Sequence, residues 1–332
     1  MENERIDEIV NQLGLGELVF EALGGNIDLS VGAIFDWIIS NFFSEIGSVL
    51  IFMRQMIIIA ILSAIFKAMS SSFANNGISK LGTYVCYILI IATLFQTFTI
   101  VLSVMTSMIS GIANLLMGST PIIVTLLASG GFAVSAGAFS GVLIFASTFF
   151  TFLAERLMVP LLISAASISL VGYLAEKESL DKLSKLMQKG ISFALKSIAL
   201  VFVSVLTFQR LATPVANNIA IRGTRTVVAA VPVVGQALSS AIDTALYYGQ
   251  AVRGVVSASL LLSALAICIV PIIQIAAFVF TYKLTAALIT PICDERVAEA
   301  IDTTGNYAAL ALGVCVLVGF LFVFIVLLTL SL

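Results

Sequence analysis

What most constrains this chain is the length of its apolar runs. Seven stretches, at about 46–66, 82–109, 132–153, 157–174, 191–209, 254–281 and 307–330, are dominated by Leu, Ile, Val, Phe and Ala. Each reaches the roughly 18 residues that a helix needs to cross a ~30 Å hydrocarbon core. Backbone groups left unpaired in lipid are costly, so a spanning segment is either a helix or part of a closed barrel. These runs are continuous and show no polar/apolar alternation, which selects helices. Two further apolar stretches, 111–130 and 226–250, are interrupted by Gly and Pro and read as re-entrant hairpins or broken helices. The expected fold is therefore an all-α polytopic membrane protein with seven or eight transmembrane helices and two Pro/Gly-broken segments.

Composition closes off most other classes. Of the 332 residues, 60% are hydrophobic and 10% charged, against about 45–50% and about 25% in soluble domains. A net charge of -2 with no Lys/Arg-rich block argues against a nucleic-acid partner. The absence of histidine removes the commonest general base, the usual zinc ligand and the His-dependent triads together. Cys86, Cys268, Cys293 and Cys315 lack CxxC spacing, and three of them sit in apolar runs. No Walker A, GxGxxG or HExxH string occurs. No cofactor, no metal and no enzymatic activity are expected.

Residues 1–45 hold nine acids against the single base Arg5, a net of -8. Ile6, Ile9, Val10 and Leu13, and again Ile34, Trp37, Ile38 and Phe42, follow helical spacing. This region reads as acidic and amphipathic, on the non-cytoplasmic side, with a transmembrane domain over 46–332. Its first residues, MENERIDEIV, lack the basic and apolar regions of a secretory signal. Lys177, Lys182, Lys185, Lys189 and Lys196, and separately Lys67 and Lys80, mark 175–196 and 67–80 as cytoplasmic. Placing both on one side requires 111–130 to cross, giving eight spans, and leaves Arg210, Arg222 and Arg225 outside, against the charge rule.

MGSTPIIVTLLASGG (117–131) and AAVPVVGQALSSAI (229–242) each place a proline, Pro121 or Pro232, after small residues and before an apolar segment. The two prolines are 111 residues apart, which suggests a duplicated unit with discontinuous helices, the layout of transporters and pores. Chance similarity between apolar strings is the alternative. Charges inside apolar runs are the default functional pointers. Arg54 either lines a polar path or sits where the first span begins. Glu155 and Arg156 read as a neutral loop between helices. Asp243, with Arg225 and Arg253 nearby in sequence, forms the densest polar cluster. SGGFAVSAGAFSG (129–141) suits either close helix packing or a pore lining.

At the second broken stretch the string FQRLATPVANNIAIRGTRTVVAAVPVVGQALSSAIDTALYYGQAVRGVVS (208–257) resembles the stage III sporulation protein AE family. The resemblance rests on Pro232 to Gly235, on Ser240, Asp243 and Thr244, and on Arg253 with Gly254. KLTAALITPICDERVAEAIDTTGN (283–306) adds to it, and TPIIVTLLASGG (120–131) more weakly. Family members usually begin with a signal-like segment that this chain does not show, and often carry lysine where Arg222 and Arg225 stand. The resemblance implies a protein of the outer forespore membrane of a sporulating bacterium. It would belong to a multi-protein, secretion-like channel between mother cell and forespore that sustains late forespore gene expression. Implied partners are the other stage III sporulation A proteins, stage II sporulation protein Q through the complex, a membrane insertase and further copies of the chain. On this reading Pro121, Gly130, Gly131, Pro232 and Gly235 form a central constriction, held by polar contacts of Arg225, Asp243 and Arg253. The rivals are an autonomous secondary transporter of a small solute and a membrane scaffold without its own conduit.

Overall fold

A computed structural model describes residues 31–72, 77–129, 133–175, 178–229 and 235–330; Gly130, Gly131, Pro232 and most of the acidic N-terminal region lie outside these. All described elements are helical: α1 (Val31–Ser72), α2 (Gly77–Ser129), α3 (Ala133–Thr151), a π-helical turn (Phe152–Met158), α4 (Val159–Ala175), α5 (Glu178–Ala229), α6 (Gly235–Ile289) and α7 (Glu295–Leu330). Six segments among them are long and apolar enough to cross a membrane: Ile39–Met69, Leu81–Thr125, Ser140–Tyr173, Lys182–Ser204, Ser259–Ile289 and Glu295–Val326.

Among the described residues this count of six does not confirm the seven or eight expected, for two reasons. The stretch 111–130 is no separate element, because α2 runs unbroken through Pro121. Pro121 cannot donate to a carbonyl one turn back, and hydroxyls crowd the same turn: Thr120 Oγ1 donates to the Leu116 carbonyl at 2.7 Å and Thr125 Oγ1 to the Pro121 carbonyl at 2.7 Å. The runs 132–153 and 157–174 are likewise one crossing. Glu155 and Arg156 do not form a loop; they lie within the π turn, where the Val159 amide reaches the Ala154 carbonyl five residues back. The cause is visible in the sequence, since Pro160 follows at once and has no N–H to offer the Arg156 carbonyl.

With this count, two crossings separate 67–80 from Lys177, which puts these at one end without a further span, while Lys182, Lys185, Lys189 and Lys196 lie within the Lys182–Ser204 segment. Contacts tie that end together. Lys67 Nζ lies 2.8 Å from Asp294 Oδ2, the Tyr173 hydroxyl 2.9 Å from Thr303 Oγ1, and Ser184 Oγ 2.6 Å from the Tyr307 hydroxyl. The α6–α7 hairpin turns here because Pro291 stops α6 and Asp294 caps α7, accepting from the Arg296 amide at 3.3 Å.

α2 is the central post, packed against α1, α3, α6 and α7. Met105, Ile109 and Ile112 on it are fully buried, together with Phe98 and with Phe150, Tyr282, Tyr307 and Phe322 of its neighbours. Between helices in lipid, close van der Waals fit rather than water exclusion provides the adhesion, so small residues matter where backbones approach. Gly305 is such a place, since an added Cβ would come 3.1 Å from Tyr282 Cβ, on the tightly packed α6–α7 pair.

Candidate functional site

Of the residues singled out from sequence, Pro121 is described in full and lies exposed on α2. Gly130, Gly131 and Pro232 fall in the gaps that flank α3 and α6. Gly235 opens α6, Arg225 lies on α5, and Asp243 and Arg253 lie on α6, with their side chains outside the described part. Whether Arg225, Asp243 and Arg253 meet therefore stays a proposal. Arg54 sits in the middle of Ile39–Met69 and is exposed, so the first span begins well before it. Glu155 and Arg156 are exposed on the π turn.

The outward face of α2 carries a feature that the sequence reading missed. Gln96, Thr99, Ser103, Ser107, Asn114, Gly118, Pro121 and Thr125 are all exposed, as is Ala92, and Ser110 is half-buried. At about 100° per residue, Ser103, Ser107, Asn114, Pro121 and Thr125 lie within about 20° of Gln96, and the others within about 60°. Buried Leu94, Met105, Ile112 and Leu116 point the opposite way to within about 20°. Between Leu89 and Met117, α2 exposes no large apolar side chain at all. α1 by contrast exposes Ile51, Ile58, Leu62 and Ile65, and α5 exposes Phe193 and Leu200, the surfaces that lipid tails would cover.

The hydroxyls on this face are partly satisfied by their own helix. Thr99 Oγ1 donates to the Phe95 carbonyl at 2.8 Å and Thr106 Oγ1 to the Ser103 carbonyl at 3.0 Å. The amides of Gln96 and Asn114 hydrogen-bond to none of the described residues. No Asp, Glu, Lys or Arg occurs from Leu81 to Ser129, so the face offers donors and acceptors without fixed charge. A face of this kind, on a helix otherwise apolar enough to span a bilayer, is built to meet water or another polar surface. The signal was present in the sequence as polar residues at 96, 103, 107 and 114, a helical period hidden inside a run read only for its mean hydropathy.

On the buried side, the Tyr282 hydroxyl of α6 donates to Thr97 Oγ1 at 2.6 Å, and Thr97 Oγ1 donates on to the Thr93 carbonyl at 2.9 Å. This bond joins α2 to α6 next to the packed side of α2, which faces away from its polar face. At the α6–α7 turn, Lys283 Nζ contacts Asp302 Oδ1 and Asn306 Oδ1, both at 2.7 Å. Burial pushes the Asp294 carboxyl up, but hydrogen bonds from Lys67, Tyr87 and the Arg296 amide, with the Lys67 charge, outweigh it and hold the group below the usual carboxylate range.

A family model described as stage III sporulation protein AE matches residues 13–332. The stage III sporulation protein AE of Bacillus subtilis (strain 168) is 27% identical to this chain over 273 residues, covering 77% of the chain and 66% of that relative. The chain thus spans just under two thirds of the relative's length. No solved structure matches.

Proposed function

We propose, from the premise that this chain belongs to the stage III sporulation protein AE family, that it is the permease-like, membrane-embedded component of a multi-protein sporulation channel. It is a multi-pass helical membrane protein of sporulation, and its family's name puts it in the stage III sporulation A group. The channel would join mother cell to forespore and sustain late forespore gene expression. The chain would sit in the outer forespore membrane with its basic stretches in the mother-cell cytoplasm. The other stage III sporulation A proteins, stage II sporulation protein Q through the complex, and a membrane insertase are its proposed partners.

The observation that carries this reading is the uncharged polar face of α2. An autonomous transporter would place its polar groups between its own repeats, near the midplane. Here they run down the outside of the central helix, where only an assembly can use them. Pro121 lies on this face. Gly130, Gly131, Pro232 and Gly235 keep their proposed part in the constriction, with Arg225, Asp243 and Arg253 as its polar contacts.

Thiol accessibility tests the reading. Cys86, Cys268 and Cys315 are buried, so with Cys293, the remaining thiol, changed to Ser, the background is low. Single cysteines are placed at Gln96, Ser103, Ser107 and Asn114, with Ile51 and Ile58 as lipid-facing controls, in membranes from sporulating cells. A charged, membrane-impermeant thiol reagent should modify the α2 positions and spare the controls. Modification of α2 no faster than of Ile51 and Ile58 would sink the conduit reading.

A further inference from the structure

We infer that the conduit is not enclosed by one protomer but is closed by a second copy of this chain across the outward face of α2. The inference rests on the conduit reading above and specifies what forms the other wall.

The polar face lies on the surface of the protomer. α1 and α3 pack against α2, but Gln96, Thr99, Ser103, Ser107 and Asn114 on this face remain exposed. If lipid covered them, the Gln96 and Asn114 amides would stand in hydrocarbon with no hydrogen-bond partner among the described residues, which bilayers strongly disfavour. Something polar must therefore oppose them over their length. Gln96 to Asn114, over which the face exposes no large apolar side chain, spans roughly 27 Å at about 1.5 Å per residue, most of the ~30 Å hydrocarbon core. A short loop from another protein could cover only part of it, whereas a second α2 covers all of it.

The chemistry of the face also suits a copy of itself. Amides and hydroxyls both donate and accept, so Gln96, Ser103, Ser107 and Asn114 can pair with the same residues on a neighbour, directly or through water. No charge opposes itself when two such faces meet, because α2 has no ionisable acid or base from Leu81 to Ser129. The exposed faces of α5 and α1 fail this test. α5 presents Lys189 and Lys196 seven residues apart on one stripe, alongside Leu186, Phe193 and Leu200. Two such stripes face to face would align like charges. α1 carries Arg54 in the middle of its exposed apolar surface, with the same consequence. A closed assembly with α2 toward the common axis puts the neutral polar faces inside and the cationic and apolar faces outside. The resulting wall holds hydrogen-bonding groups and no fixed charge, so it passes hydrated solutes by size rather than by sign.

The test uses the full chain with Cys293→Ser, carrying either Ser107→Cys or Ile58→Cys. Each is treated with a bis-maleimide in membranes from sporulating cells, and the same proteins are purified in mild detergent for mass by light scattering. The expected result is a discrete mass of two or more chains, with Ser107→Cys shifted mostly to the cross-linked dimer band and Ile58→Cys left as monomer. A single-chain mass together with no Ser107→Cys cross-link in membranes overturns the inference. So does cross-linking through Ile58→Cys instead. If α2 positions are still modified by the impermeant reagent in that case, the conduit reading survives and another protein forms the opposing wall. If they are not modified, the conduit reading itself has failed, whatever the mass.

Discussion

One buried hydrogen bond ties α2 to α6, and its energy can be measured. Tyr282 is 2% exposed and its hydroxyl donates to Thr97 Oγ1 at 2.6 Å, across the α2–α6 interface. Tyr282→Phe removes the donor and leaves Thr97 to its own helix carbonyls, a loss of about 1 kcal/mol. Thr97→Val keeps the shape but strands the Tyr282 O–H in an apolar interior, which costs about 1–3 kcal/mol. The double variant strands nothing and loses the bond once, so its cost should stay near ~1 kcal/mol. The gap between that value and the sum of the singles is the coupling energy. Hydrogen bonds between membrane helices average about 0.6 kcal/mol by this measure and reach about 1.7 kcal/mol, and the short, fully buried geometry places this one toward the upper value. The assay is equilibrium unfolding in mixed micelles of the four proteins of the cycle. If the two single effects add to within ~0.3 kcal/mol, the residues do not interact.

Other outcomes follow from the packing and the electrostatics. Asp294 binds its proton less readily folded than unfolded, so its contacts with Lys67 and Tyr87 stabilise the fold above the ordinary carboxylate pKa of about 4 and are lost as pH falls through the depressed folded value. Thermal midpoints should drop from pH 6 to pH 3, and Asp294→Asn should flatten that limb. Gly82→Leu should destabilise by about 1–3 kcal/mol in the same unfolding assay, because even a Cβ there would come 2.8 Å from Phe66 Cδ1. Asp302→Asn should cost at most about 1 kcal/mol and less at high salt, since the side chains of the Lys283–Asp302 pair are 40% and 45% exposed. Asp243→Ala should block spore formation with the protein level intact, checked by spore counts beside an immunoblot; loss of the protein would make Asp243 a stability residue instead.

Hydropathy alone was enough for the class of fold, because runs such as 307–330 have no alternative but the bilayer. It could not count the crossings. Pro121 looks like a break, but the serine and threonine hydroxyls around it and its place in a well-packed post keep α2 helical through it. Glu155 and Arg156 look like a loop because two adjacent charges usually mark one, and only the backbone shows that Pro160 yields a π turn instead of an end. Gly130, Gly131 and Pro232 lie outside the described residues. The polar face was illegible for a different reason. A window that averages hydropathy erases a helical period, and knowing that the Gln96 side points out requires knowing that Leu94, Met105 and Ile112 point in.

The π turn between α3 and α4 has a bearing on how this chain can vary over generations. A π turn is an α-helix that has absorbed one residue too many. Deleting any one residue of Phe152–Met158 would let the segment relax to ordinary α-helical bonding, with the faces of α3 and α4 still aligned on their neighbours. The same deletion within α3 or α4 would twist one half of the span about 100° against the other and misdirect every side chain beyond it. Among descendants of this sequence, a one-residue gap should therefore be tolerated at the turn and purged from the helices on either side.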